Sequence, residues 1–254
     1  YILMRHPEWI KVKATGTHAT RKILREHGVS TVCEEAMCPN QGKCFSNSTA
    51  TFMILGDRCT RNCFFCAVES STPFQLDPQE PARVAKAVRS LGLEYVVITS
   101  VTRDDLPDGG AAHFAETIRA VRAIKNTIKI EVLTPDFKGN VEVLKTVFNA
   151  SPDVFNHNVE TVPRLYYAVR PMADYAVSVN ILKTAKHLYP GIKTKSGIML
   201  GLGELEEEVI CVMNDLSQAG CDFLTIGQYL QPRRKNIPVA EYIKPEVFEQ
   251  YRLR

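Results

Sequence analysis

The stretch TFMILGDRCTRNCFFC, residues Thr51 to Cys66, determines how the rest of the sequence folds around it. It begins with a short run of apolar residues, which is typical of a buried parallel strand. Three cysteines follow the run directly, at positions 59, 63 and 66. Barrels of alternating strands and helices collect their functional groups at the carboxyl ends of the strands. The stretch therefore predicts a first barrel strand whose carboxyl end carries a metal centre.

Five more apolar runs follow this strand, and a helical pattern with apolar residues three and four positions apart separates each run from the next. Six β/α repeats predict right-handed βαβ units, which wind into either an open sheet or a curved barrel. We predict an α/β fold, a partial TIM-type (β/α)6 barrel with N-terminal and C-terminal extensions. The expected divisions are residues 1–50, 51–231 and 232–254, and a helical pattern still running at the last residue indicates a truncated C-terminal extension.

The composition excludes several classes of protein. A chain of 254 residues that is 45% hydrophobic is long enough to bury a substantial core. Its 31 basic and 28 acidic residues are spread along the chain without a long basic block, which argues against a nucleic-acid partner. The sequence contains no run of eighteen apolar residues, so it predicts no helix that spans a membrane. The N-terminus lacks the apolar segment of a signal peptide, so we expect a bacterial cytoplasm, or an organelle interior if a transit peptide has been removed.

Six of the eight cysteines fall into two clusters, which indicates metal binding rather than a disulfide framework. The N-terminal trio is Cys33, Cys38 and Cys44 in CEEAMCPNQGKC; the barrel trio is Cys59, Cys63 and Cys66. Structural zinc sites and ferredoxin-type clusters usually take four protein ligands. Three thiolates on a four-iron cluster leave one iron without a protein ligand, and we expect a small molecule to bind there.

The spacing C-x3-C-x-Phe-C, formed by the barrel trio and Phe65, resembles the radical S-adenosylmethionine superfamily. The resemblance implies that the open iron chelates the amino and carboxylate groups of S-adenosylmethionine. It also implies that an electron from the cluster cleaves the sulfonium, and that Phe65 approaches the adenine. Such a cofactor suits an inert C–H bond, because acid-base side chains act only over a limited pKa range.

The N-terminal trio, the barrel trio and the stretch TSVTRDDLPDGGA together resemble the lipoyl synthase family over nearly the whole chain. The resemblance implies two 4Fe-4S clusters, an auxiliary one on Cys33, Cys38 and Cys44 that is consumed as the sulfur source, and a radical-generating one on the barrel trio. It implies two sulfur insertions, at C6 and C8 of an octanoyl chain on a lysine. The family's C-terminal Arg-Ser-Ser-Tyr motif, whose serine binds the auxiliary cluster, does not occur in this sequence.

The same resemblance implies three kinds of protein partner. The substrate is an octanoylated lipoyl carrier domain or glycine-cleavage H protein. An electron donor such as ferredoxin or flavodoxin reduces the radical cluster, and an iron-sulfur cluster delivery protein supplies the clusters.

Weaker candidates for binding S-adenosylmethionine lie at the carboxyl ends of other predicted strands. Asn158 and Glu160 are candidates for the ribose or the methionine amino group, with helix capping as the alternative. Thr99 and Ser100 are candidates for the methionine carboxylate, with ordinary loop polarity as the alternative. Met199, in the stretch GIMLGLGE, or Lys195, two residues before that stretch, is expected to face inward near the adenosine.

Two other functions remain open from the sequence. The first is another sulfur-inserting radical enzyme, such as a methylthiotransferase or a biotin-synthase-like protein. The second is a zinc-stabilised binding module on an α/β barrel, in which histidines such as His27 complete each trio. His157 is expected to be a structural histidine rather than a ligand.

Overall fold

The strands form one large sheet and one small ribbon. The computed structural model describes residues 7–10, 18–38, 40–46 and 50–254, so part of the predicted N-terminal extension lies outside the described residues. In chain order the described strands are β1 (Ser30–Thr31), β2 (Thr51–Ile54), β3 (Arg58–Cys59), β4 (Glu69–Ser70), β5 (Tyr95–Ser100), β6 (Lys129–Leu133), β7 (Val154–Asn156), β8 (Lys193–Leu200) and β9 (Phe223–Gln228).

The large sheet has the order β1-β2-β5-β6-β7-β8-β9. Its last six strands are all parallel and follow one another in chain order, while β1 pairs with β2 antiparallel. Consecutive right-handed crossovers that always advance to the next strand place every connecting helix on one face. The six predicted strands are therefore confirmed, and the structure shows that they lie side by side in chain order. Strands β3 and β4 form a separate two-stranded parallel ribbon around the barrel trio.

Helices follow each parallel strand and cover the outer face of the sheet. Their apolar faces meet the strands in one core that includes Val88, Phe114, Ile118, Leu144 and Leu182. The described α-helices are α1 (His18–Glu26), α2 (Val32–Glu35), α3 (Gln41–Ser46), α4 (Glu80–Leu91), α5 (Ala111–Arg122), α6 (Val141–Phe148), α7 (Tyr166–Val169), α8 (Tyr175–Leu188), α9 (Glu206–Gln218) and α10 (Pro245–Arg252).

Several helix ends are set by local sequence. Helix α4 stops at Gly92, which takes the left-handed conformation at φ 63° that favours glycine. Helix α6 begins after Asn140, whose side chain accepts hydrogen bonds from two backbone N–H groups of the first turn. Asp174 caps α8 in the same way through the N–H of Val177. The two N-caps fix where α6 and α8 begin after the loops at the carboxyl ends of β6 and β7, and Gly92 ends α4 before β5 begins.

A polar layer crosses the inner face of the sheet. Glu131 on β6 is 2% exposed and accepts hydrogen bonds from Tyr95 Oη at 2.5 Å, Asn156 Nδ2 at 2.8 Å and Lys195 Nζ at 2.9 Å. Burial alone raises the pKa of Glu131, but these three donors outweigh it and hold the pKa below its ordinary value. Four neighbouring strands are thereby tied together inside the barrel.

The described part of the N-terminal extension packs on the first β/α unit. Cys33 and Phe45 are buried in the main core, and the Thr20 hydroxyl donates to the carbonyl oxygen of Phe45 at 2.6 Å. At the other end of the chain, Tyr251 of α10 is buried in the same core. The described segments that precede and follow the β/α units therefore pack against the barrel.

Candidate iron-sulfur site

The barrel trio lies on the loop that leaves β2 at its carboxyl end. Leu55 and Gly56 both have positive φ angles, of 69° and 90°, and turn the chain out of the strand. The N–H of Thr60 donates to the carbonyl oxygen of Thr102 at 3.0 Å, which joins the loop to the segment that follows β5. The loop is closed at its far side because Ser71 N–H donates to the carbonyl oxygen of Cys59 at 3.2 Å.

Backbone N–H groups point at two of the three sulfur atoms. Arg61 and Thr102 donate to Cys59 Sγ at 3.4 and 3.3 Å, and Val68 donates to Cys66 Sγ at 3.4 Å. Hydrogen bonds of this kind stabilise thiolate ligands and tune the potentials of iron-sulfur clusters. The donors are already in place around the free cysteines.

The thiols of the barrel trio are half-buried beside one another. Burial raises the pKa of Cys63 to about 12 and that of Cys66 to about 11, and nearby thiols add to both increases. Three adjacent thiolates in a buried loop need a compensating cation, which a bound cluster provides. Three free thiols with backbone donors to sulfur therefore fit a four-iron cluster.

Arg61 fastens this loop to two other barrel loops. Its guanidinium is 7% exposed and binds the Asp104 carboxylate at 2.6 and 3.0 Å and the Asp136 carboxylate at 2.6 and 2.8 Å. Asp104 also donates its backbone N–H to the hydroxyl of Thr60 at 3.0 Å. Burial raises the pKa of Asp136, but Arg61 overrides this effect and holds it below its ordinary value. The loops after β2, β5 and β6 form one hydrogen-bonded unit.

The N-terminal trio lies on the segment that contains α2 and α3. Thr31 caps α2 by accepting from the N–H of Glu34 at 3.3 Å, which places Cys33 in the first turn. Burial raises the pKa of Cys33 and of Cys44, and Cys38 adds to both increases. The three thiols therefore lie close enough to affect one another, as ligands of one cluster must.

Within the described ranges, no group of three His, Cys, Asp or Glu side chains is arranged to hold a single metal ion. A cubane cluster takes its thiolates on different iron atoms, so this finding concerns single-ion sites. His27, the histidine that the zinc alternative proposed as a ligand, contacts Ser90 instead, with its Nε2 2.9 Å from the hydroxyl oxygen.

Phe65 and Met199 are brought together by the fold. Both pack against a small buried cluster of Val169, Leu202 and Tyr229. The Tyr229 hydroxyl donates to a backbone carbonyl oxygen at 2.7 Å, and burial together with nearby Cys66 raises its pKa to about 12. One apolar wall therefore adjoins the barrel trio.

Asn158 and Glu160 also lie close together. Glu160 has a φ of 67°. Its N–H donates to the carbonyl oxygen of Gly197 at 2.9 Å, and its own carbonyl oxygen accepts from the N–H of Met199 at 2.8 Å, so its backbone is joined to β8. Burial raises the pKa of Glu160, against the opposing effects of Arg170 and of a hydrogen bond from Asn158. A Cβ atom at Gly197 would lie 2.8 Å from Asn158 Oδ1, so glycine permits this close approach.

Of the three other predicted residues, Thr99 and Lys195 use their polar groups within the barrel, and Ser100 does not. The Thr99 hydroxyl donates to the carbonyl oxygen of Leu133 at 3.0 Å. Lys195 binds Glu131 in the polar layer. The hydroxyl of Ser100 is buried and has no hydrogen-bond partner in the described structure.

Two residues that hold the site in place, Arg170 and Asn236, belong to no recognisable sequence motif. Buried Arg170 donates to the carbonyl oxygens of Asn158 at 2.8 Å and Val159 at 3.2 Å, and its charge opposes the raised pKa of Cys63. Asn236 donates to the carbonyl oxygen of Cys66 at 2.7 Å. Their only sequence signal is a place in loops that follow predicted strands.

His157 is a structural histidine, as predicted. It is 2% exposed, with Nδ1 2.8 Å from the Thr134 carbonyl oxygen and Nε2 3.1 Å from the Ser178 hydroxyl. Burial lowers its pKa to about 4. Among the described residues, no helix is long and apolar enough to cross a membrane.

Solved structures of low sequence identity share this fold. Methylornithine synthase (PylB) superposes with a TM-score of 0.61 at 16% identity, over 95% of this chain and 73% of that one. SuiB of Streptococcus suis, solved with S-adenosylmethionine bound, has a TM-score of 0.61 at 11% identity, over 85% of this chain and 51% of that one. These similarities support the predicted partial barrel.

Sequence comparison identifies the family. The model of the Radical SAM superfamily matches residues 53–216. The lipoyl synthase of Caldanaerobacter subterraneus subsp. tengcongensis is 58% identical over 250 residues, which are 98% of this chain and 88% of that protein. That of Rubrobacter xylanophilus is 54% identical over 249 residues, 97% of this chain and 78% of that protein. These relatives do not favour the methylthiotransferase or biotin-synthase-like alternative. The chain belongs to the lipoyl synthase family, and with it to the sulfur-inserting enzymes of the radical S-adenosylmethionine superfamily.

Proposed function

We propose that this chain converts an octanoyl-lysine on a carrier protein into the lipoyl group by inserting sulfur at C6 and C8. The observation that carries the proposal is the presence of two separate trios of free thiols. One trio lies on the loop after the first barrel strand, and the other lies on the segment before that strand. A sulfur-inserting enzyme needs such a separation, because one centre must react repeatedly while the other gives up its sulfur.

Cys59, Cys63 and Cys66 are the ligands that we assign to the radical cluster. When bound, that cluster supplies the electron that cleaves S-adenosylmethionine. The residues of the chain hold the site in place: Arg61 binds the loop to Asp104 and Asp136, and Asn236 donates to the carbonyl oxygen of Cys66. The N–H groups of Thr102 and Val68 stabilise negative charge on sulfur.

Cys33, Cys38 and Cys44 are assigned to an auxiliary cluster that serves as the sulfur source. Their mutual effects on pKa support a common ligand position for the three thiols. The fourth ligand is not identified in this sequence, because the family's Arg-Ser-Ser-Tyr motif is absent.

The residues around the barrel trio suggest how S-adenosylmethionine binds. Phe65 and Met199 supply an apolar wall suited to the adenine. Asn158 and Glu160 supply polar groups suited to the ribose or the methionine amino group. We retain Thr99, Ser100 and Lys195 as candidates; their contacts within the barrel favour an indirect role for Thr99 and Lys195.

The proposed partners are an octanoylated lipoyl carrier domain or glycine-cleavage H protein, an electron donor such as ferredoxin or flavodoxin, and an iron-sulfur cluster delivery protein. We propose a bacterial cytoplasm or an organelle interior as the compartment. The lipoyl synthases that support the family assignment come from bacteria.

The proposed reaction can be tested on an octanoyl-lysine peptide. The protein is reconstituted anaerobically with iron and sulfide, then incubated with peptide, reductant and S-adenosylmethionine, and the peptide mass is measured. The expected product carries two added sulfur atoms, and the protein should hold about eight irons per chain. An unchanged peptide mass would refute the proposal, as would zinc without acid-labile sulfide. A product that keeps a single sulfur after prolonged incubation with excess S-adenosylmethionine would favour the biotin-synthase-like alternative.

A further inference from the structure

We propose that a surface of three cations and two apolar side chains, called here the rim patch, binds the acidic face of the octanoylated carrier protein. The rim patch consists of Arg233, Arg234, Lys235, Met37 and Phe64. The inference rests on the proposed function, because that function requires a protein-bound octanoyl chain to reach both trios.

The loop that carries the cations is fixed to the barrel trio. Buried Asn236 donates through Nδ2 to the carbonyl oxygens of Phe64 at 3.1 Å and Cys66 at 2.7 Å. The N–H of Ile237 donates to the same Phe64 oxygen at 3.0 Å. The Gln231 side chain donates to the Asn236 carbonyl oxygen at 2.6 Å and braces the loop from within. The cations are therefore held beside the iron-sulfur site.

The three cations are exposed, and none of them forms an ion pair in the described structure. Some other surface cations are paired: Arg164, for example, binds Glu208 at 2.7 Å. Arg233 also interacts electrostatically with Glu35 on the segment of the N-terminal trio. Unpaired charge of one sign beside a site attracts a partner of the opposite sign and sets its orientation.

The apolar members of the rim patch connect it to both trios. Met37 lies between Cys33 and Cys38 in the chain and is 50% exposed; Phe64 follows Cys63 directly and is 42% exposed. Arg233 joins the two halves, because its Nε lies 3.4 Å from Met37 Sδ. Exposed apolar side chains surrounded by polar groups are typical of protein interfaces.

This position favours the carrier over the electron donor. An electron donor needs to approach the barrel trio alone, whereas the octanoyl chain must be presented to both trios. The rim patch contacts both segments, and its three cations would attract a carrier surface that carries carboxylates.

The test compares Arg234→Glu/Lys235→Glu with Lys86→Glu/Lys183→Glu. Both variants reverse two exposed charges, and the control residues lie on α4 and α8, away from the patch. Sulfur insertion is measured on the intact octanoylated carrier and on a short, uncharged octanoyl-lysine peptide. Binding of the carrier is measured separately by fluorescence anisotropy.

We expect the patch variant to raise KM and Kd for the intact carrier about tenfold or more at low salt. The difference should shrink at about 1 M salt, where the Debye length is about 3 Å. The KM for the peptide and the rate of S-adenosylmethionine cleavage with a chemical reductant should match the wild type.

Unchanged carrier affinity in the patch variant would overturn the proposal, and so would an equal loss in the control variant. A loss confined to reactions driven by ferredoxin or flavodoxin would also overturn it, by assigning the patch to the electron donor. If the wild type modifies neither carrier nor peptide, the proposed function fails. If the peptide is modified normally and the patch variant binds the carrier as tightly as the wild type does, only the docking inference fails.

Discussion

Replacing Arg61 should destabilise the protein more than any exposed substitution, because it leaves a buried carboxylate without its cation. The side chains of Arg61 and Asp136 are 6% and 4% exposed, and that of Asp104 is 20% exposed. Removing one partner of such a buried pair costs about 3–5 kcal/mol. The total stability of a domain is only about 5–15 kcal/mol. We therefore expect Arg61→Met to lose a large fraction of the free energy of unfolding.

The assay is denaturant unfolding of the apoprotein, which separates the ion pair from cluster binding. The matched control is Arg164→Met, which breaks an exposed pair with Glu208 and should cost at most about 1 kcal/mol. Asp136→Asn combined with Arg61→Met removes the unpaired charge, so the double variant should recover part of the loss. An Arg61→Met protein within about 1 kcal/mol of the wild type would refute the reasoning.

The pH dependence of stability gives a second check, because the wild type and Arg61→Met should respond to acid with opposite signs. In the wild type the pKa of Asp136 is lowered, so its contribution is present above the unfolded value of 3.8 and is lost as pH falls through the folded-state pKa. In Arg61→Met burial acts without the guanidinium and raises that pKa. The variant should then regain stability relative to the wild type as pH falls towards 3.8. A constant difference between the two proteins would contradict this assignment.

Three further predictions concern single side chains. Burial lowers the pKa of His157 to about 4, against 6.5 in the unfolded chain. The free energy of unfolding of the apoprotein should therefore fall by roughly 3 kcal/mol as pH falls from 6.5 to 4. In denaturant unfolding, His157→Gln should remove most of this pH-dependent loss. Gly197→Ala should displace Asn158 and raise the KM for S-adenosylmethionine several-fold, while peptide KM stays constant; unchanged kinetics would argue against a role for Asn158. Lys195→Met should cost about 2 kcal/mol of stability through Glu131; a selective loss of S-adenosylmethionine affinity at normal stability would instead indicate direct cofactor binding.

Local patterns were sufficient to predict the strands and the two trios. Parallel strands are buried on both faces, so each appears as an apolar run, and the run at Thr51–Ile54 is followed at once by the barrel trio. Cysteine ligands on one loop keep a short spacing that is visible in the sequence. The order of the strands also follows from simple right-handed crossovers.

The contacts that hold the site are long-range, so spacing could not reveal them. Asp104 and Asp136 lie 43 and 75 residues from Arg61, and Asn236 lies 170 residues from Cys66. An aspartate in a loop is common, and only the folded chain shows which ones meet an arginine. Lys195 was expected near the adenosine, but its partner Glu131 lies 64 residues away on another strand.

The roles of the two trios can be tested most directly by comparing Cys59→Ala with Cys33→Ala after anaerobic reconstitution. Cleavage of S-adenosylmethionine and sulfur transfer to the octanoyl peptide are measured in the same reaction. We expect Cys59→Ala to lose both, and Cys33→Ala to retain cleavage while transferring no sulfur. Retained cleavage in Cys59→Ala, or normal sulfur transfer in Cys33→Ala, would contradict the assignment of separate roles.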